Sequence, residues 1–249
     1  MPDTALLEDL FRAYYTARQN KRNTINQLKF ELNFEHEIFN LHDEIKARTY
    51  RPKREIAFII NRPVKREIFA ADFRDRVIHH LLFGYISSII EKYLIYDCYS
   101  CRRGKGTSAG IQRAGKFLRA CSDNYTKNCF IMKMDISGYF MSINRGILYH
   151  KVSDLLTKEY RRCALSARAV PFDPEVVDFL IQRTLFRNPV DNCMLKGSRS
   201  DWAGLPANKS LFHASEGCGL PIGNLTSQLF GNVYLNDFDH WMKKKMGFR

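Results

Sequence analysis

Between Arg74 and Tyr96 the apolar residues fall at 77, 78, 81, 82, 85, 86, 89, 90, 93 and 94. That spacing predicts one long amphipathic helix whose stripe must face a core. The most apolar stretch, Val77 to Tyr96, is interrupted by His79, His80, Glu91 and Lys92. It therefore falls short of the roughly 18 to 20 uninterrupted apolar residues of a membrane span. A chain of 249 residues that is 45% hydrophobic and 26% charged can build such a core as one large domain or two modest ones, which excludes a disordered chain and a small disulfide scaffold. Asp3, Glu8 and Asp9 give the N-terminus none of the basic-then-apolar layout of a signal peptide. Seven cysteines, at 98, 101, 121, 129, 163, 193 and 218, follow no repeating interval. Together these features predict a soluble, cytoplasmic protein with no membrane partner. Cys98-x-x-Cys101 stands without the second pair or nearby histidines a structural zinc needs.

The charge is uneven. Lys and Arg total 39 against 26 Asp and Glu, a net charge of +13. Residues 46–119 alone hold 17 basic and 6 acidic side chains, with Tyr50, Phe58, Phe69, Phe73, Tyr96 and Tyr99 among them. A basic surface interleaved with aromatics suits a phosphate backbone, and a solvated basic face is the plainer alternative.

Apolar spacing over Ala5–Arg22 (Leu6, Leu10, Ala13, Tyr14) and Thr24–Arg48 (Leu28, Leu32, Ile38, Leu41, Ile45) predicts two N-terminal helices. Glu55–Ile60, a turn at 61–64 and Lys65–Phe69 read as a basic hairpin. A glycine-rich, cationic loop at Tyr99–Thr107 leads to a helix at Ser108–Arg119. Further helices are predicted at Arg145–Tyr160, Pro174–Phe186 and Asn224–Lys245, with an irregular stretch between Phe186 and Cys218. In the last helix, residues 224, 227, 228 and 231 share a polar or small face. Asn128–Ile136 alternates, with Phe130, Met132, Met134 and Ile136 on one side and Ile131, Lys133 and Asp135 on the other, and predicts a strand ending at Asp135. A carboxylate there suits Mg2+, which takes one or two carboxylates plus substrate phosphates, and suits equally an aspartate capping a turn.

Three blocks occur in order: Lys65-Arg66-Glu-Ile-Phe-Ala-Ala-Asp-Phe-Arg74-Asp-Arg76-Val, Met134-Asp135-Ile-Ser-Gly-Tyr139-Phe140, and Gly219-Leu-Pro-Ile222-Gly223-Asn-Leu-Thr-Ser227-Gln228-Leu-Phe-Gly-Asn232. Jointly they resemble the reverse transcriptases of the retron, group II intron and diversity-generating retroelement lineage, over about residues 50 to 249. The wording Ala70-Ala-Asp-Phe-Arg-Asp-Arg-Val-Ile-His-His80, Arg103-Gly-Lys-Gly-Thr107, Asp201-Trp-Ala-Gly-Leu-Pro206 and Lys209-Ser-Leu-Phe212 is most similar to the diversity-generating branch.

The resemblance implies an α/β (α+β) right-hand polymerase, helix-rich around a small antiparallel sheet: N-terminal helices at 1–48, fingers with the basic hairpin at 49–120 and a partial palm at 121–249. It implies an RNA-directed DNA polymerase that copies an RNA template from a DNA or RNA primer with Mg2+ and dNTPs, alongside a small basic accessory protein. Asp135 would be the catalytic metal ligand and the Ile136 carbonyl a further one. Tyr139 and Phe140 would lie under the incoming sugar, Phe140 excluding a 2′-hydroxyl. Lys65 and Arg66 would grip the triphosphate, and Arg102, Arg103 and Lys105 the template or primer. Ile222 and Gly223 would support the nucleotide, and Asn224, Ser227 and Gln228 the nucleic acid.

Two departures stand out. Most relatives have Gln where this chain has Ile222, which removes a polar check on nucleotide placement and implies error-prone copying. The family's Tyr-x-Asp-Asp carboxylates are absent, for the chain contains no Asp-Asp dipeptide. Asp237 and Asp239, two apart on a helix, point roughly 200° apart and cannot replace them. The expectation is thus a polymerase piece that stops before the catalytic hairpin and thumb, inactive alone. Its Asp135 strand would have an unpaired edge, and the fragment would be marginally stable or self-associating. A retron or group II intron type enzyme, a non-catalytic RNA-binding chain and a generic basic helical DNA-binding domain are the rivals.

Overall fold

The computed structural model describes residues 3–19, 24–170 and 172–248. It is rich in helix, as expected, with a small sheet that is mixed and not, as expected, wholly antiparallel, because its third strand joins the first in parallel. In chain order come α1 (Asp3–Arg18), α2 (Ile25–Glu31), α3 (Phe34–Lys46), β1 (Glu55–Ile60), β2 (Arg66–Ala70), α4 (Phe73–Tyr93), α5 (Thr107–Cys121) and α6 (Tyr139–Ser142). They are followed by α7 (Arg145–Leu165), α8 (Pro174–Leu185), β3 (Cys193–Leu195) and α9 (Leu225–Lys244), with short 3-10 turns between residues 189 and 213.

α4 is the axis of the fold. Asp72 caps it by accepting from the Arg74 amide at 3.0 Å, as a short polar side chain at a helix start does. Val77, Ile78, Leu81, Leu82, Ile86, Ile89 and Ile90 are buried along it, because α1, α7, α8 and α9 all pack on it. Arg74 and Asp75 are buried with partners: Arg74 pairs with Glu44 and lies 5.4 Å from the Tyr50 ring centre, while Asp75 accepts from Tyr50 Oη at 2.8 Å and the Lys53 amide at 2.6 Å. Charges this deep persist because they are paired and hydrogen-bonded. α7 and α8 begin on Asn144 and Asp173, which accept from the amides of Ile147 and Glu175 at 2.9 and 2.8 Å. Pro174 at the first position of α8 gives up no intrahelical bond. One apolar cluster runs from Leu10 through α3, α4, α7 and α8 to Val233, crossing both expected domain boundaries.

β1 and β2 form the expected hairpin, antiparallel, with Ile56 opposite Ala70 and Ile60 opposite Arg66. β3 is an addition to the sequence reading. It lies in the stretch read as irregular and pairs parallel to β1, Glu55 opposite Cys193, in the order β2-β1-β3. Three residues are too few for an alternation signal, and only the neighbouring strand defines them.

The expected helix over 24–48 is two. It breaks at Asn33, whose φ of −138° and ψ of 41° are not helical. The break turns Ile38, Leu41 and Ile45 into the core and leaves Leu28 and Leu32 exposed, so the apolar spacing was one stripe in sequence and two in space. The last residues of the expected first helix, 20–22, lie outside the described residues.

The predicted strand over Asn128–Ile136 is corrected. The segment carries no ladder hydrogen bond, and Phe130 is 95% exposed and Ile131 74%. Alternation provides a side-chain pattern, but a strand exists only against a partner that takes its amides and carbonyls, and no described strand pairs with this segment. No helix among the described residues is long and apolar enough to cross a membrane.

Candidate functional site

A cleft of about 320 Å3 opens where four segments distant in sequence converge. The first is the hairpin turn and the start of β2, with Val64, Lys65, Arg66 and Glu67. The second is Ile136 with the turn into α6, through Gly138, Tyr139, Phe140 and Met141. Lys209 is the third, and the loop and first turn of α9, with Ile222, Gly223, Ser227 and Gln228, the fourth.

Backbone contacts hold these pieces together. The Phe69 amide of β2 donates to the Ile222 carbonyl at 2.8 Å. Gly223 makes that approach possible: at φ 129° a Cβ would sit 2.6 Å from the Phe69 carbonyl oxygen, so only glycine fits. The Leu220 amide donates to the Phe140 carbonyl at 2.8 Å, and Tyr139 Oη donates to the Gly231 carbonyl at 2.6 Å. Tyr139 and Phe140 meet edge to face, ring centres 5.4 Å apart. Burial, with Asp239 nearby, raises the Tyr139 phenol well above its usual value, so it stays a hydrogen-bond donor.

Glu67 was not anticipated. It is 1% exposed and accepts from Trp202 Nε1 at 2.6 Å, Ser210 Oγ at 2.7 Å and the Leu211 amide at 2.5 Å. Three donors on one carboxylate tie β2 to the 199–213 segment, which brings Lys209 to the cleft. The available signal was period two: Glu67 shares the inward face of β2 with Phe69. Lys209 was missed as a lining residue, although it stands in the block Lys209–Phe212.

The other expected residues divide by what they touch. Arg66 is exposed, with no side-chain partner among the described residues, whereas Lys65 Nζ donates to the Ala203 carbonyl at 2.6 Å. Gln228 accepts from Cys101 Sγ at 2.8 Å, and Asn232 Nδ2 donates to the Ser100 carbonyl at 2.8 Å. These contacts dock the 98–106 loop on α9, near the cleft mouth. Within that loop Arg103 is exposed and unpartnered among the described residues. Arg102 turns inward, donating to the carbonyls of Ile95 and Cys98 at 2.9 and 3.1 Å, and Lys105 folds back over the Tyr96 ring at 3.4 Å. Asn224 is buried and accepts from the Ala71 amide at 3.4 Å, pinning α9 to β2 rather than lining the cleft. Ser227 is buried and reaches the cleft wall.

Asp135 is exposed and stands next to Ile136 without itself lining the cleft. No cluster of three or more His, Cys, Asp or Glu suited to a metal occurs among the described residues. Asp237 pairs with Lys151 and Asp239 is half-buried, its carboxyl raised by burial. The donors at hand, one carboxylate and the Ile136 carbonyl, fit a single Mg2+ shared with substrate phosphates and fall short of a two-ion, all-protein site. No protein-family model and no curated protein matches the chain.

Proposed function

We propose that the chain is the fingers and part of the palm of an RNA-directed DNA polymerase of the diversity-generating retroelement type. One observation carries this reading: nine of the residues expected to hold nucleotide, metal or template, Lys65, Arg66, Ile136, Tyr139, Phe140, Ile222, Gly223, Ser227 and Gln228, line one cleft although they lie on segments up to 163 residues apart in the chain. Nothing in local propensity would gather them. In this reading Lys65 and Arg66 neutralise a triphosphate, Arg66 as a planar fork. Tyr139 and Phe140 form a platform whose bulk excludes a 2′-hydroxyl, and the Ile222-Gly223 backbone supports the base pair. Asp135 and the Ile136 carbonyl would hold Mg2+, which when bound supplies charge neutralisation at the transferring phosphate.

The cation pair, the aromatic platform and the glycine-bearing loop account for positioning, which is most of what such catalysis asks of a protein. A non-catalytic RNA-binding chain is the second reading, favoured by the donor set. Glu67, the carboxylate that lines the cleft, is saturated by its three donors, and Asp135 alone does not make a two-metal site.

The test is Mg2+-dependent nucleotide incorporation on a primed RNA template, by the protein as its reading frame encodes it. Asp135→Asn should abolish incorporation and leave the RNA Kd within about twofold, since a ligand is lost while the basic surface stays. RNA binding without incorporation in the parent protein selects the second reading. Parallel loss of binding and incorporation in the variant removes Asp135 from its assigned role.

A further inference from the structure

Cys121 ends α5, and Cys129 begins the exposed segment that leads to Asp135. A tight reversal brings the two together. Ser122 is buried, and its carbonyl accepts from the amides of Thr126 and Lys127 at 2.9 and 2.8 Å. Its hydroxyl accepts from the Tyr125 amide at 2.8 Å, and the Asn124 amide donates to the Arg119 carbonyl at 2.9 Å. Asp123, Asn124 and Tyr125 have φ of 49°, 56° and 70°, three consecutive left-handed residues that fold the chain back on itself. The Asp123–Lys127 ion pair at 3.0 Å closes the same turn.

The reversal sets the two thiols at its ends near each other, near enough for Cys121 to act on the Cys129 thiol, and both are unbridged, Cys121 exposed and Cys129 half-buried. Elsewhere Cys101 donates to Gln228 and Cys193 to the Val190 carbonyl. We propose that Cys121 and Cys129 form a reversible intramolecular disulfide, a redox modification site that ties the end of α5 to the base of the Asp135 segment. It stands apart from the polymerase reading, since it rests only on the reversal and the thiol pair.

The oxidant class is a low-molecular-weight disulfide such as oxidised glutathione. One cysteine thiolate attacks a glutathione sulfur and expels one glutathione thiolate. The second attacks the protein sulfur of that mixed disulfide, expels the other glutathione thiolate and closes the S–S bond. Two protein thiols thus lose two protons and two electrons, and one glutathione disulfide becomes two glutathiones. Burial and the neighbouring Cys121 raise the Cys129 thiol above its usual value, so closure quickens as pH rises. The bond restrains a segment that no ladder holds, and amide exchange over 129–134 slows in the oxidised protein.

The experiment equilibrates the native protein across glutathione redox buffers, traps free thiols by alkylation and maps the digest by mass spectrometry. A linked Cys121–Cys129 peptide pair is expected, with titratable thiols falling from the seven present to five and dithiothreitol restoring them. Cys121→Ser and Cys129→Ser should each lack the link. Because the parent protein carries the decisive reading, a variant that fails to fold does not blur it. Alkylated Cys121 and Cys129 at every buffer ratio, glutathione adducts without closure, or bridges to other cysteines or a second chain overturn the proposal.

Discussion

Glu55 shows how a single residue acquires a property its sequence context hides. At the start of β1 it is 5% exposed, its Oε2 has no hydrogen-bond partner, and Arg187 Nη1 stands 3.7 Å from its Oε1. Burial raises the carboxyl from 4.5 to about 7, and Arg187 offsets this only in part. An acid held above its unfolded value keeps its proton in the native state after the unfolded chain has released it. Stability from Glu55 is therefore full below about pH 4.5 and lost as pH rises through about 7, amounting to roughly 3 kcal/mol. Asp75, raised to about 6 by burial, acts in the same direction. His79, lowered to about 3 by burial, opposes both between about pH 3 and 6.5.

Comparing Glu55→Gln with the parent isolates the one group. Urea denaturation should show the variant level with or below the parent near pH 4.5 and above it by roughly 2 to 3 kcal/mol at pH 8. An offset independent of pH contradicts the burial argument. At this scale chemistry was partly legible: the resemblance singled out Lys65, Arg66, Tyr139, Phe140, Ile222 and Gly223, which meet in one cleft, whereas neither Glu55 nor Glu67 stood out, because burial is not a local property.

Among the elements, the hairpin and the long helices were legible because their periods are long enough to count and their caps are explicit, as at Asp72, Asn144 and Asp173. β3 and the Asn33 break were not, since each depends on what packs beside it. The loop carrying Gly223 is an element held by one close approach. Gly223→Ala should lower stability by about 1–3 kcal/mol through left-handed strain and collision with the Phe69 carbonyl, read as a fall in thermal midpoint. An unchanged midpoint contradicts that packing.

The 128–136 segment supplies the opposite case. Phe130 and Ile131 are exposed and unladdered, an apolar, strand-like run of the sort that drives edge-to-edge association. Phe130→Lys with Ile131→Lys should reduce light scattering and shift gel-filtration elution to the monomer, with the thermal midpoint changed by less than about 0.5 kcal/mol equivalent because neither side chain is packed. Equal association in both proteins assigns the tendency elsewhere.

For the whole molecule, the proposed function and a net charge of +13 together predict RNA affinity that falls steeply with salt, by about 0.9 log units per log unit of salt for each phosphate neutralised. The fold redistributes that charge. Arg74 is consumed in the core and Arg102 inside its own loop, while Arg66 and Arg103 remain at the cleft and its flanking loop. Replacing Arg66 and Arg103 by Ala should flatten the salt slope by about 1 to 2, measured by fluorescence anisotropy over a salt series. Arg102→Ala should instead lower thermal stability and leave the slope nearly unchanged. A slope that responds to Arg102 and not to the other two reverses this assignment.

The amino-acid sequence by itself determined the helix-rich character, the hairpin and the placement of excess positive charge. These follow from spacing, capping chemistry and side-chain type, which act over a few residues. Only the tertiary structure decided that Glu67 knots β2 to a distant segment, that Asn224 and Arg102 brace the scaffold while Arg66 and Arg103 face solvent, and that 128–136 carries no ladder. Each depends on a partner far away in the chain or on the absence of one, and hydrogen-bond satisfaction and desolvation are settled by neighbours in space.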